Sequence, residues 1–380
     1  MERRPTSRNV SLSWLDPSPN SISPHLIQNT YARLKLQYAD ALQKNWAEDL
    51  EFPTQVFEHI SLAACLIELW RKTYNAVPAT EQPSLSRPNP TAPIPFPSFV
   101  DLACGNGILV YILLKEGYQG VGYDACRRKS WTTFPAEVQA CLKERIFLPG
   151  PFADVLGSQG RDDMELELGV EIHTGGFPGG TFMISDHADE LTVWTPLMAA
   201  LACPRDPLPF FVVPCCSKSL AGGEFRYPPG KRRGSGEDGM VDDNGGKESG
   251  GKQTQPESGD LKALRAIKLE EKTEAGFWMS MAGSLAAKTM GVAEEIGFEV
   301  ERAWFRTPGA VNMALIGGCR SGTRENEKEL GREGVLEKIR EIVETECAKD
   351  GGAERAAKLW IERTRCLRLG QGTVHHAKIP

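Results

Sequence analysis

At 380 residues, 41% apolar and 25% charged, the chain has the length for one large domain or two modest ones and enough apolar content for a buried core. A net charge of -6 excludes a global attraction to polyanions, so a nucleic acid would have to meet a local basic patch. Ten cysteines without a Cys-x-x-Cys pair, and six histidines without ligand spacing to them, exclude a metal frame; with no signal peptide or membrane-length apolar run, they point to free thiols in a reducing, cytoplasmic setting.

Residues 1–50 form a mixed N-terminal segment with a helix expected around Tyr31 to Trp46. From Val56, apolar residues recur at helical spacing (Ile60, Ala63, Ile67, Trp70), so this helix packs on a core. Residues 76–97 are rich in proline and polar residues and read as a linker. Next, Phe99-Val100 reaches an acid at Asp101 and breaks at Gly105-Asn106-Gly107. Ile108 to Leu114 is an apolar helical run that stops at Gly117, and Gly120 to Asp124 is a second short strand ending on an acid. Strand, glycine turn, helix, strand is the first βαβ unit of a doubly wound nucleotide-binding fold. Ligands of such sheets lie outside the carboxyl ends of the strands, where this turn and both acids sit.

The ligand chemistry follows from what the turn lacks. A dinucleotide fingerprint wants a third glycine where Val110 stands, and Asp101 would face its pyrophosphate. An acid before the turn suits S-adenosylmethionine (AdoMet), whose amino and sulfonium groups are cationic and which carries no phosphate. Gly105 and Gly107 let the backbone approach a ligand, and Asp124 can accept both ribose hydroxyls, which either cofactor permits. The bland reading, a turn in an α/β domain without a ligand, stays open beside these.

A basic run, Arg127-Arg128-Lys129, follows Asp124 and reads either as phosphate contacts or as a solvated charge run. A third strand is expected at Arg145 to Leu148 and a glycine-rich, acidic loop over 149–180. The strand Thr181 to Ile184 then runs into Ser185-Asp186-His187-Ala188-Asp189-Glu190. A helix with Trp194, Leu197, Met198 and Leu201 comes next, then the strand Pro209 to Pro214, leading to Cys215-Cys216 and Lys218. Alternating strands and helices of these lengths indicate a mainly parallel α/β sheet. Residues 228–262 have almost nothing to bury and are expected to be a disordered insertion. A helix from Phe277 to Ile296 leads to strands Phe298 to Phe305 and Asn312 to Ile316, a closing antiparallel hairpin. Beyond it, 319–380 is a charged helical extension carrying Val335, Ile339, Ile342 and Val343. The segment 186–190 lies at the edge where an acceptor would be held; its acids can also cap the next helix.

These residues resemble one family, the tRNA (uracil-2'-O-)-methyltransferases that modify uridine 44 of serine tRNAs. The likeness covers roughly 52–227 and, more weakly, 290–318. It is carried by Phe57-Glu58 with Leu66 to Trp70, Val100 to Val110 with Glu116 to Tyr118, and Gly122 to Asp124 with Arg127 to Trp131. His187 to Thr192 with Trp194 and Pro196, joined to Phe211 to Cys216, is its most specific part; Phe305 to Pro308 and Ala314 to Gly317 complete it. The chain departs from the family pattern at Ala103, where a glycine is usual, and at Asp186, where an asparagine is usual.

The resemblance implies a doubly wound, Rossmann-like methyltransferase sheet, mainly parallel with an antiparallel C-terminal edge hairpin, over 51–227 and 263–318. It implies AdoMet as cofactor, held by Asp101, Ala103, Gly105, Asn106, Gly107 and Asp124. It implies a serine tRNA as substrate, contacted by Arg127, Arg128, Lys129 and Arg306, with an auxiliary tRNA-binding protein as a further partner and neither metal nor membrane. Asp189, His187 and Asp186 are the catalytic candidates: Asp189 or His187 as base, Asp186 as loop or donor contact. The rivals are a methyltransferase of the same fold acting on protein or a small molecule, and a non-catalytic RNA-binding subunit.

Overall fold

Short runs of apolar and β-branched residues form a parallel sheet buried on both faces, as the near-continuous hydrophobicity of the strands requires. The computed structural model describes residues 22–48, 52–81, 96, 98–215, 218–225, 227, 274–307, 310–319 and 327–368. The strands are β1 (Phe99–Leu102), β2 (Gly120–Asp124), β3 (Leu142–Glu144), β4 (Ile146–Phe147), β5 (Ile172–His173), β6 (Phe182–Asp186), β7 (Phe210–Val213), β8 (Val300–Thr307) and β9 (Ala310–Gly317). Seven of them form one sheet in the order β3-β2-β1-β6-β7-β9-β8; β4 and β5 pair separately. Contacts from β3 through β7 are parallel, and β9 is antiparallel to both β7 and β8. The chain winds outward from β1 to β3, then returns to add β6 on the other side of β1. That reversal opens a crevice at the carboxyl ends of β1 and β6. The expected doubly wound sheet with an antiparallel closing hairpin is therefore present.

Helices α1 (Pro24–Lys44), α2 (Phe52–Tyr74) and α3 (Ile108–Lys115) cover one face. Their Leu34, Ile60, Ile67, Trp70 and Leu109 pack against Phe99, Phe182, Ile184 and Phe211. The opposite face carries α5 (Gly150–Leu168), α6 (Leu191–Ala202), α8 (Met281–Glu295), α9 (Glu327–Cys347) and α10 (Ala353–Arg368); α4 (Ala136–Gln139) and α7 (Glu274–Met279) are short connectors. There Val100, Leu102, Met183, Phe210 and Val212 meet Trp194, Leu197, Leu285, Ile339 and Trp360. Alternate residues of each strand thus feed two separate cores, the period-2 rule of a pleated strand.

Three expectations are corrected. The third main-sheet strand is Leu142–Glu144, in register with Gly122 to Asp124, not Arg145 to Leu148; of the latter, Ile146–Phe147 pairs with β5 instead. Residues 149–180 are not a loop: α5 starts behind Pro149, with prolines suited to a first turn, and buries Phe152, Ala153, Met164 and Leu168. Gly157, at φ 71° and ψ 176°, kinks it, and this break is what disguised the helical pattern. The helix expected over Phe277 to Ile296 is two, interrupted at Ser280, whose hydroxyl accepts from the Gly283 amide at 3.1 Å as an N-cap. The insertion 228–262, Cys216 and the turn residues Pro308-Gly309 lie outside the described residues. Among the described residues, no helix is long and apolar enough to cross a membrane, and the eight cysteines other than Cys215 are free thiols.

Candidate active site

Register builds the site. Asp101 on β1 pairs in register with Gly122 on β2 and Ile184 on β6. Asp124 and Asp186 are each two positions further along those neighbours, so all three carboxylates share the α2–α3 face at the carboxyl edge. Asp101 is 2% exposed, and burial pushes its carboxyl well above the usual carboxylate range. The charges that bear on it, from Asp186 and Asp124, are of like sign and push it further the same way.

The turn after β1 is shaped by left-handed backbone at Ala103 (φ 58°), Gly105 (φ 51°) and Gly107 (φ 75°). Gly107 precedes α3, and the Asn106 carboxamide oxygen accepts from the Ile108 amide at 3.0 Å, closing the helix start. The left-handed φ calls for glycine at 105, and a Cβ built there would meet nothing within 4 Å, so the space over this backbone is open. Open space is what a ligand cradle leaves. Asp124 closes the other side: its Oδ2 accepts from the Gly105 amide at 2.9 Å and its Oδ1 from the Cys126 amide at 3.0 Å. Beneath the turn lies the fully packed Cys104, whose Sγ would stand 2.8 Å from a Cβ on Gly122. Burial, with Asp101 and Asp124 nearby, pushes its thiol far up.

The basic run is largely engaged by acids. Arg128 Nη2 lies 3.6 Å from Asp124 Oδ1, and Arg127 meets Glu144 through its amide at 3.1 Å and its Nε at 3.5 Å. Trp131 Nε1 donates to Gly105 O at 2.8 Å and Ser130 Oγ to Asn106 O at 2.8 Å, so this segment braces the glycine turn. Arg306 is on β8, but its side chain lies outside the described residues.

On the acceptor side β6 extends to Asp186, two residues past the expected strand end. His187 (φ 53°) and Asp189 (φ 48°) both hold left-handed backbone, which only surrounding structure sustains in such residues. The His187 amide donates to Val213 O at 3.2 Å, tying the loop to β7. His187 Nδ1 stands 2.7 Å from Asp186 Oδ1. The Asp186 carboxylate raises the imidazole to about 9 against the opposing cost of burial. Burial works against the Asp186 charge, but the imidazolium, with His59 behind it, holds that carboxyl below its usual value. At neutral pH this is a charged pair with its proton on histidine. Cys215 Sγ donates to Asp189 Oδ1 at 3.7 Å. Burial pushes Glu190 up to about 7, with Asp189 adding to it and Lys218 and Arg363 drawing it back.

Several contributors were not visible in the sequence. Gln55, Glu58 and His59 from α2 reach the crevice: Gln55 Oε1 accepts from Asn106 Nδ2 at 3.3 Å, and the Glu58 carboxyl, raised by burial, feels His187 and His59. The (i, i+3, i+4) spacing of 55, 58 and 59 on a helix starting beside the glycine turn was the available signal. Among the described residues, no group of three or more metal-capable side chains gathers.

Comparison with known proteins fits this geometry. Residues 22–149 match a family model described as a predicted AdoMet-dependent methyltransferase. The tRNA (uracil-O(2)-)-methyltransferase of Aspergillus oryzae is 47% identical over 374 residues, covering 94% of this chain and 57% of that protein. The proteins of the same name from Saccharomyces cerevisiae (31% over 368 residues; 90% and 52% covered) and Schizosaccharomyces pombe (32% over 293; 76% and 46%) are also similar. The chain spans about half the length of the curated relatives it matches. No solved structure matches.

Proposed function

Because the chain belongs to the tRNA (uracil-O(2)-)-methyltransferase family, we propose that it methylates the ribose 2'-hydroxyl of a uridine in tRNA, with AdoMet as donor. The finer assignment, uridine 44 of a serine tRNA, rests on the motif resemblance of residues 187–192 and 211–216. The observation that carries the reading is Asp101: among the described residues the charges that bear on this buried carboxyl are of like sign, the arrangement of a site built for a cationic ligand.

The residues fit AdoMet. Asp101 answers its positive charge, Asp124 its ribose, and Gly105 leaves it room, while Gly107 gives the left-handed turn that is packed on Leu142 and Phe134. When bound, AdoMet supplies an electrophilic methyl group on a sulfonium that departs as a neutral thioether. The chain's own residues do the rest. Holding the acceptor hydroxyl in line supplies most of the acceleration, roughly 7–11 kcal/mol, and the left-handed loop 187–189, pinned to Val213, is the element that positions it. His187 already carries its proton at neutral pH, so it donates to the substrate rather than taking a proton from it. Asp189 is then the group that accepts the hydroxyl proton, worth about 10²–10⁴-fold. Asp186 keeps His187 charged and aimed. Arg127, Arg128 and Lys129 present positive charge at the same edge, and their share of tRNA affinity weakens with salt. In this reading the methyltransferase unit comprises 51–227 and 263–318.

Transfer of labelled methyl from AdoMet to serine tRNA, abolished by 2'-deoxy substitution of uridine 44, is the expected result. Label surviving that substitution would refute 2'-O chemistry at this position. Label on protein or a small molecule instead would move the acceptor class.

A further inference from the structure

The final helix is bonded to both sides of the crevice. Trp360 anchors α10: its Nε1 donates to Phe147 O at 2.8 Å, and its ring packs 5.8 Å from Phe152 and 6.4 Å from Trp194. Beyond that anchor, Arg363 and Arg368 stand about 7.5 Å apart along the axis, from the helical rise. The two reach different loops.

Arg363 Nη1 donates to Ala221 O, in the tight turn after β7. That turn is closed by the Ser219 amide to Gly223 O at 2.8 Å and the Gly222 amide to Ser219 O at 2.8 Å. Trp194 Nε1 donates to Leu220 O at 2.9 Å, joining the turn to α6, whose first residue follows Glu190. The guanidinium approaches two glycines closely: a Cβ would stand 2.9 Å from Nη1 at Gly222 and 2.8 Å from Nη2 at Gly223. The same Gly222 Cβ position is 3.4 Å from the Glu190 carboxyl carbon, so Arg363 and the acceptor loop share one seat.

Arg368 works on the donor side. Its Nη1 donates to Glu144 Oε1 at 2.6 Å and to Ala125 O at 3.4 Å, and its Nε to Leu168 O at 3.4 Å. Glu144 is the acid that also holds Arg127, in the segment continuous with Asp124. A planar fork can satisfy such divided acceptors, which an ammonium cannot do with the same geometry.

We propose that the last two turns of α10 are a strap that sets the donor loop against the acceptor loop, with Arg368 and Arg363 as positioning residues for each. The proposal rests on the methyltransferase reading above. Arg365 is the internal control, since it pairs with Glu167 on α5 at 2.7 Å and touches neither loop.

The test uses the full chain with Arg368→Ala, Arg363→Ala, Arg365→Ala and Gly223→Ala. AdoMet binding is read by calorimetry, methyl transfer to tRNA by kcat and KM, and folding by thermal melting. Arg368→Ala is expected to weaken AdoMet binding about tenfold, the loss of one charge-assisted bond, and Arg368→Lys to recover part of it. Arg363→Ala is expected to leave AdoMet binding unchanged while lowering kcat. Gly223→Ala, which displaces the tip of Arg363 without touching the backbone, should reproduce that kcat loss and add nothing in the Arg363→Ala background. Arg365→Ala should change none of these. Equal losses from all three arginines in proportion to melting temperature, or no split between donor affinity and kcat, would overturn the strap. If the parent binds AdoMet but methylates no tRNA, the functional reading fails, and calorimetry on Arg368→Ala still decides the donor arm.

Discussion

Two buried acids of this molecule sit at opposite ends of the same helix α3, and their surroundings differ completely. Glu116, at its C-terminal end, is 0% exposed and saturated: it accepts from Arg33 Nη2 at 2.7 Å, Tyr38 Oη at 2.7 Å and Thr80 Oγ1 at 2.9 Å. The network continues through Glu81 to Arg71 and on to Glu68, which accepts from Thr30, and so binds α1 and α2 to the end of α3. Asp101, beside the N-terminal end, is almost as buried, and among the described residues the charges that bear on it are of like sign. A buried charge that finds its partners within the chain is architecture; one that does not is an unfilled valence for something else.

The sharpest way to break this comparison is to remove each acid in turn. Glu116→Ala strands the Tyr38 hydroxyl, leaves Arg33 with Glu81 alone as its acid, and is expected to cost about 2–3 kcal/mol in denaturant unfolding. An unchanged midpoint would show the network to be ornamental. Asp101→Asn should do the reverse, leaving folding stability unchanged or slightly higher while weakening AdoMet by about 10–100-fold, the range for a lost charge-assisted contact. If it instead destabilised the fold without affecting binding, Asp101 would belong with Glu116.

Proton linkage sharpens the contrast. The free Asp101 carboxyl is raised, and a bound cation favours its ionised form, so binding releases a proton. AdoMet affinity should therefore fall as pH drops through the raised value, and Asp101→Asn should flatten that profile in calorimetry across buffers. His187 gives a smaller, opposite signal. Its folded value near 9 lies above the unfolded 6.5, so its stabilisation is full below 6.5 and lost as pH rises through about 9. Half-exposure limits this to at most about 1 kcal/mol, and an NMR titration of Asp186→Asn should bring the imidazole back down. The smallest effect is at Ala103, held at φ 58°: Ala103→Gly removes left-handed strain but adds unfolded-state entropy, and is expected to gain about 0.5 kcal/mol in melting studies.

The donor half of the candidate site was legible as a geometric cluster because it is local. Asp101, the glycine turn and Asp124 lie in one βαβ unit, where strand period and turn chemistry place them. The acceptor loop was legible as a cluster, but not the proton's location, which depends on a 2.7 Å contact and left-handed backbone at His187. The basic run 127–129 read as free charge, since nothing in its composition reveals Asp124 and Glu144 as partners for its arginines. Helix α5 was hidden by its glycines, and β3 by having only Leu142 as an apolar residue. Contributions from α2 and α10 are long-range: Arg368 is 224 positions from Glu144, and no window of sequence spans that.

Cys104 gives the donor turn a clock. Its thiol is sealed between the turn and Gly122 and held far from its reactive thiolate form by burial and two acids. Alkylation of Cys104 therefore requires the turn to lift, so the rate of labelling counts opening events at this one place. A ligand that grips the turn lengthens the interval between them by its own binding energy. The protein thus carries, under its candidate cofactor loop, a built-in probe of occupancy that needs neither substrate nor turnover.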